Sequence, residues 1–166
     1  MSGKKIDRKV LFDFIDKSKW VDGPWRKEQD LVKFIYHDSP FSLCCLLLRN
    51  RKSGYWCGYV GIDQLNPFFD KDYEDVNSFL KYPILDYSGN PTKNLPEEFR
   101  VNNYYFFGFS LNHDGDLVPF SLGKRSLLSR VSLGHFGRDQ ITKDETYKNL
   151  GYAENVLEDL AKEIAQ

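Results

Sequence analysis

Two strongly apolar segments, separated by a short polar turn, most constrain the fold of this chain. Residues 41–48 and 55–62 are almost entirely apolar or aromatic, and the polar stretch 50–54 between them ends in glycine. Apolar segments joined by so short a turn typically pair as antiparallel strands. The sequence therefore predicts a β-hairpin, and with it an antiparallel sheet.

Two other segments have the composition of strands. Residues 31–36 and 104–111 are rich in β-branched and aromatic side chains, and 16% of the whole chain is aromatic. Such residues fit a pleated, half-buried surface better than a helix bundle. Because few polar residues interrupt segment 104–111, we expect it to be a central strand of the sheet.

Helical periodicity indicates a helix at each end of the chain. Near the C-terminus, Thr142 and Glu145 have the spacing of a capping box, which predicts one long helix over residues 142–165. Its apolar positions recur every three or four residues: Leu150, Ala153, Leu157, Leu160, Ala161 and Ile164. Near the N-terminus, a similar stripe predicts a helix over residues 6–20, after a disordered start at 1–5. The stripe consists of Val10, Leu11, Phe14 and Ile15.

These elements predict an α+β fold. At 166 residues the chain suits a single domain, 1–166, with a mainly antiparallel sheet, an N-terminal helix and a long C-terminal helix packed on it. A net charge of −1 argues against a nucleic-acid partner, since nonspecific binding to phosphates needs a positive surface. An oligomer is compatible with the sequence.

The cysteines and the lengths of the apolar runs indicate the cellular compartment of the protein. Cys44, Cys45 and Cys57 are odd in number and sit in apolar runs, which indicates reduced thiols in a cytoplasm. The N-terminus has no signal-peptide pattern, and the longest apolar run, residues 43–48, is far too short to span a membrane. We expect a cytoplasmic protein with no membrane association; if it is phage-encoded, the compartment is the host cytoplasm.

Two glycines interrupt the predicted strand 55–62. Gly58 and Gly61 either mark a β-bulge, which we favour, or leave room for another group to approach the backbone. Cys57 beside them is an unsuitable nucleophile, because an apolar environment raises the pKa of a thiol.

Titratable residues follow directly on the predicted central strand. His113, Asp114 and Asp116 lie within four residues, beyond segment 104–111. As a pure turn, the aspartates would cap their own backbone. As an acid-base site, His113 would be the catalytic base and Asp116 would orient its ring, with Asp114 available to a ligand. No zinc or calcium ligand spacing is present, so no metal and no cofactor are expected.

Two other places carry residues suited to a ligand. Trp25 and Glu28 lie in a predicted turn, where the indole either plugs the core or stacks on a ligand ring. Arg125 belongs to a basic stretch, 124–138, that contains several glycines and serines. It either binds a phosphate-bearing ligand or is a solvated loop.

Several blocks in order resemble a family of small uncharacterised phage and prophage proteins. The matching blocks are residues 22–30 (Gly-Pro-Trp with Glu28 and Asp30), 45–49, 57–60 (Cys-Gly-Tyr-Val), 108–119 and 147–160. The family pattern has His, Asp and a His-Gly-Gly segment where this chain has Asn66, Ser110 and residues 86–92. The resemblance implies a phage-type protein and carries over no activity.

Three functions stay open at this point. The first is a phage-type protein that binds a compact, nucleotide-like small molecule and so sequesters a defence signal of the host. The second is a hydrolase-like enzyme with His113 and Asp116 as an acid-base pair. The third is an interaction module that inhibits a host protein through exposed aromatic side chains.

Overall fold

The fold is built on one antiparallel sheet. The computed structural model describes residues 5–18, 23–38, 41–51, 53–112 and 149–165, without the side chains of 5–11, 38 and 41. In these ranges six strands pair in the order β1-β2-β3-β4-β6-β5. The strands are β1 (Lys5–Phe12), β2 (Leu31–Asp38), β3 (Phe41–Arg49), β4 (Trp56–Ile62), β5 (Tyr87–Gly89) and β6 (Tyr105–Ser110).

Within the described ranges, the helical elements are short except for the last. They are α1 (Tyr73–Asn77), α2 (Leu150–Ile164) and the 3-10 helices Pro24–Lys27 and Glu97–Phe99. Helix α2 packs across β4, β3 and β2. Its buried stripe is Ala153, Leu157, Leu160, Ala161 and Ile164, and this stripe joins the main core cluster. No helix in the described residues is long and apolar enough to cross a membrane.

The predicted α+β class is confirmed in its main parts, a largely antiparallel sheet with a C-terminal helix packed on it. Strands β3 and β4 form the predicted hairpin, with Arg49 opposite Trp56. Strand β6 lies inside the sheet between β4 and β5, as its apolar composition indicated. In each of these segments the fold buries most of the apolar residues of the sequence, so the local pattern predicts the packing.

The predicted N-terminal helix over residues 6–20 is wrong. Lys5–Phe12 is a strand that pairs with β2, and a register irregularity lies between Asp7 and Val10. This irregularity breaks the two-residue alternation of a strand, so the apolar spacing imitates a helix. Lys5 already belongs to the strand, and the rest of the predicted disordered start, 1–4, lies outside the described residues.

The predicted C-terminal helix begins too early. Asn149 has an extended backbone, and its side chain accepts a hydrogen bond from the backbone N–H of Tyr152 at 2.8 Å. This is an N-cap, so helix α2 starts at Leu150 and not at residue 142. The proposed capping box of Thr142 and Glu145 lies outside the described residues.

The glycines of β4 have a different cause from the favoured bulge. The pairing of β4 with β3 and β6 runs without a register shift, and a Cβ atom at Gly58 would overlap the ring of Phe109. Gly61 stands in the same relation to Phe106, and Gly108 to Tyr59. Each glycine therefore makes room for an aromatic ring from the neighbouring strand, which covers its backbone.

Candidate ligand-binding site

Two of the predicted site residues, Trp25 and Glu28, lie at one end of the sheet. Leu31, Leu48, Cys57 and Ser110 lie in one row across β2, β3, β4 and β6. Trp25 and Glu28 come just before this row on the β2 side, and the chain leaves β6 there towards residue 113. His113, Asp114, Asp116 and Arg125 lie outside the described residues, so their assignment to a site stays a prediction.

Trp25 is a core residue in this structure. It lies in the 3-10 helix Pro24–Lys27, which Pro24 favours because its φ angle suits the first turn, and its side chain is buried. A Cβ atom at Gly23 would overlap the indole ring. The Gly-Pro-Trp block therefore places a buried indole ring against the core at this end of the sheet. A role of Trp25 in ligand binding stays a prediction.

Glu28 connects the sheet to helix α2. One carboxylate oxygen pairs with the guanidinium of Arg49 at 3.1 Å, and the other accepts a hydrogen bond from the backbone N–H of Leu150. That N–H is one of the unpaired donors at a helix start, where a negative charge is stabilising. Glu28 therefore anchors the first turn of α2, and its predicted contact with a ligand stays a prediction.

Asp30 and Arg49 form the buried part of the same network. Arg49 is only 1% exposed, and its guanidinium contacts Asp30 at 3.3 Å and donates to the carbonyl oxygen of Gly54 at 2.7 Å. The guanidinium also lies over the ring of Trp56, 4.4 Å from its centroid. Buried charges persist only when paired in this way.

Asp30 also orders the chain that follows β1. Its carboxylate accepts hydrogen bonds from the backbone N–H groups of Phe14 and Ile15 and pairs with Lys17 at 2.7 Å. Burial and the neighbouring carboxyl of Asp13 raise the pKa of Asp30, against the opposing effect of Lys17 and the two N–H groups. The hydrogen bonds of Asp13 with Asp30 and Lys17 lower the pKa of Asp13, so Asp30 protonates first as the pH falls.

Sequence reasoning missed this network, although its block of Trp25, Glu28 and Asp30 had been singled out. The signal was present, because Asp30 and Arg49 are charged residues at the ends of apolar segments. Their pairing depends on the register of β2 with β3, which brings residue 31 opposite residue 48.

A groove of about 680 Å³ opens beside α2 at the same end of the sheet; we call it groove A. Its floor is formed by Phe109, Ser110 and Leu111, where β6 ends. One wall is segment 81–84, and the other is the flank of α2 next to its buried stripe. The volume lies in the range typical of small-molecule sites.

The side chains around groove A combine rings with both signs of charge. On α2, the groove is lined by Tyr152, Val156, Asp159 and Glu163, with Lys162 beside them. The spacing of the first four residues places them on one helical stripe. From the opposite wall it receives Lys81 and Tyr82, the latter 66% exposed. The backbone N–H of Lys81 donates to Glu163 at 3.1 Å and joins the two walls.

A second groove, groove B, continues from groove A past Lys81 and Glu163. It has a volume of about 640 Å³ and is lined by residues 66–68, 79–81 and 163–164. Phe79 on its rim is 72% exposed, and Leu65 close by in sequence is also strongly exposed. Exposed apolar side chains next to a groove are typical of binding surfaces.

Thiol chemistry and metal binding receive no support from the described residues. Burial raises the pKa of Cys57 and Cys45, and raises the pKa of Cys44 to about 11. No group of three or more histidine, cysteine, aspartate or glutamate side chains is arranged to hold a metal ion there.

The cysteines lead to a prediction about pH and reactivity. Because a raised pKa keeps a thiol protonated, we expect iodoacetamide at pH 8 to leave Cys44, Cys45 and Cys57 unmodified in the folded protein. Mass spectrometry after unfolding in guanidinium chloride, as the control, should show all three alkylated. Labelling of Cys44 should increase only as the pH approaches 11. Rapid alkylation of Cys57 in the folded protein would contradict its burial.

Comparison with known proteins adds no relative. No protein-family model matches the chain, and no curated protein or solved structure matches it significantly. The resemblance to the phage proteins therefore stays a prediction, and the site has to be interpreted from its own geometry.

Proposed function

We propose that this protein binds a compact, ring-bearing small molecule in groove A, and that the ligand is nucleotide-like. The observation that carries the proposal is the composition of the groove, with Tyr82 and Tyr152 beside two lysines and two carboxylates. Tyrosine rings stack on bases of any sequence. Lysine ammonium groups suit a phosphate, and carboxylates accept hydrogen bonds from hydroxyl and amino groups.

The side chains that line groove A favour ligand binding over catalysis. Its described lining includes no histidine and no cysteine, the side chains that most often act as base or nucleophile. A phage-type protein with such a site would act by sequestering its ligand, and we propose a nucleotide-derived signal of the host as that ligand.

A specific observation favours a second candidate, an interaction module for a host protein. Phe79 and Leu65 are strongly exposed at or near groove B, which continues from groove A. Aromatic side chains of this kind are enriched in the centres of protein interfaces. This candidate uses groove B and predicts that Phe79, and not Tyr82, is the critical ring.

Two neighbouring aromatic residues allow a matched test. We expect Tyr82→Ala to weaken binding of the tightest of AMP, GMP, CMP and UMP roughly 10-fold or more, because one stacked ring contributes about 1–3 kcal/mol. Phe79→Ala is the control, since Phe79 is equally exposed, lies three residues earlier and does not line groove A. Isothermal titration calorimetry gives the affinities.

Native mass spectrometry of protein purified from cells extends the test to ligands outside this set. We expect a bound small molecule that is retained by Phe79→Ala and lost by Tyr82→Ala. If no small molecule is retained and none of the four nucleotides binds, the small-molecule proposal is wrong. If Phe79→Ala alone abolishes binding of a protein partner, the interaction module replaces it.

A further inference from the structure

A third groove lies on the face of the sheet opposite helix α2, and we call it groove C. It has a volume of about 330 Å³. Cys57 and Tyr59 of β4 form its floor, and the turn after β3 and segment 91–95 form its walls. Tyr59 packs against a smaller core cluster that contains Cys44 and Phe106, whereas groove A lies over the main cluster beside α2.

The described lining of groove C carries positive charge and no negative charge. It contains Arg49 and Arg51 and, within the described part of the chain, no acidic residue. The charge of Arg49 is balanced by Asp30 and Glu28, so it is fixed within the network described above. Arg51 forms no ion pair with a carboxylate in the described part of the chain. Among the described residues, Arg51 is therefore the cation of groove C whose charge no carboxylate balances.

Arg51 is positioned by an aromatic ring. Its guanidinium carbon lies 5.0 Å from the centroid of the Phe14 ring, which also lines the groove. A guanidinium held against a ring is oriented, and its planar donors suit a carboxylate or a phosphate. The amide of Asn94 lies on the same lining and can donate a further hydrogen bond.

The rest of groove C is apolar or neutral. Leu48, Pro91, Leu95 and the Tyr59 ring supply hydrocarbon and aromatic surface. Burial raises the pKa of Tyr59 and of Cys57, so neither contributes a negative charge at neutral pH. Groove C thus offers an apolar surface for the body of a ligand and a guanidinium for its anionic group.

We propose that groove C is a second binding site, for a small organic anion with a ring or apolar body whose carboxylate or phosphate pairs with Arg51. The size of the groove, near the lower limit for small-molecule sites, suits a ligand smaller than a nucleotide. This site is independent of groove A, because the two share no lining residue and lie on opposite faces of the sheet.

Four probes separate the parts of this proposal. Phenyl phosphate and benzoate carry a ring and an anion, inorganic phosphate carries the anion alone, and benzyl alcohol carries the ring alone. We expect phenyl phosphate or benzoate to bind at least 10-fold more tightly than inorganic phosphate and benzyl alcohol in isothermal titration calorimetry. Whichever of the first two binds more tightly identifies phosphate or carboxylate as the preferred group.

Matched variants test the role of Arg51. Arg51→Gln should weaken binding of the better probe roughly 10-fold or more, whereas Lys93→Gln should leave it unchanged. Lys93 is the control because it is an exposed cation next to Asn94 that does not line the groove. Asn94→Asp places a carboxylate at an exposed lining position and should weaken binding through charge repulsion.

Several results would overturn the proposal. It is wrong if neither ring-bearing anion binds, or if Lys93→Gln weakens binding as much as Arg51→Gln, which would indicate nonspecific attraction. It is also wrong if Tyr82→Ala in groove A abolishes binding of the probe. Unchanged melting temperatures of Arg51→Gln and Asn94→Asp, both at exposed positions, confirm that any loss is local.

Discussion

Arg49→Met should destabilise the protein by about 3–5 kcal/mol, a large fraction of the stability of a typical domain. The substitution keeps an unbranched apolar stem of similar length but removes the guanidinium that pairs with Asp30 and Glu28. Asp30 would then be a fully buried carboxylate with one cationic partner fewer. Urea unfolding followed by tryptophan fluorescence measures the free energy of unfolding.

The exposed partner of Lys17 supplies a matched control. Asp13 pairs with Lys17 at 2.8 Å but has a half-exposed side chain, so Asp13→Asn should cost less than about 1 kcal/mol. The penalty of Arg49→Met should decrease as the pH falls, because protonation of Asp30, whose pKa is already raised, removes the buried negative charge that Arg49 no longer balances. A penalty below about 1 kcal/mol for Arg49→Met at neutral pH would contradict the buried network.

Leu157→Ala should destabilise the protein by about 2–5 kcal/mol, as large-to-small substitutions in close-packed cores do. Leu157 is fully buried in the middle of α2 and belongs to the main core cluster with residues of the sheet. Truncation leaves a cavity between helix and sheet that neighbouring side chains fill only in part. Thermal and urea unfolding should both register the loss.

Asn155→Ala is the control for helix propensity on the same element. Asn155 lies two residues before Leu157 on the exposed side of α2, so its replacement should change stability by no more than about 0.5 kcal/mol. An unchanged melting temperature for Leu157→Ala would show that α2 does not pack on the sheet as described.

The hairpin and the helix α2 could be predicted because their information is local. Strands β3 and β4 are continuous apolar segments with one connecting turn, and the buried stripe of α2 has a single helical period. Strand β1 could not be predicted, because its register irregularity hides the alternation and its partner β2 lies some twenty residues away. The backbone N–H and C=O groups of β1 form hydrogen bonds with β2, and the local side-chain pattern carries no information about this pairing.

The candidate sites also depend on contacts between distant segments, which a local pattern does not reveal. Sequence reasoning singled out His113, Asp114 and Asp116, which lie outside the described residues. Groove A is instead built from the end of β6, segment 81–84 and one flank of α2. Tyr82 follows no periodic pattern, and Tyr152 lies on a helical stripe outside the apolar one, so neither ring stands out in the sequence as a binding residue. Glu28 appeared suited to a ligand, yet it pairs with Arg49 and anchors Leu150.

Local apolar patterns were enough to predict the hairpin β3–β4, the inner strand β6 and the core face of α2, because in these elements the pattern matches the final burial. Which charges form ion pairs depends on the three-dimensional fold, because Asp30 and Arg49 become neighbours only through the register of β2 with β3. It also decided where three separated segments leave space between them, as in groove C. Periodicity is a property of neighbours in the chain, whereas ion pairs and cavities are properties of neighbours in space.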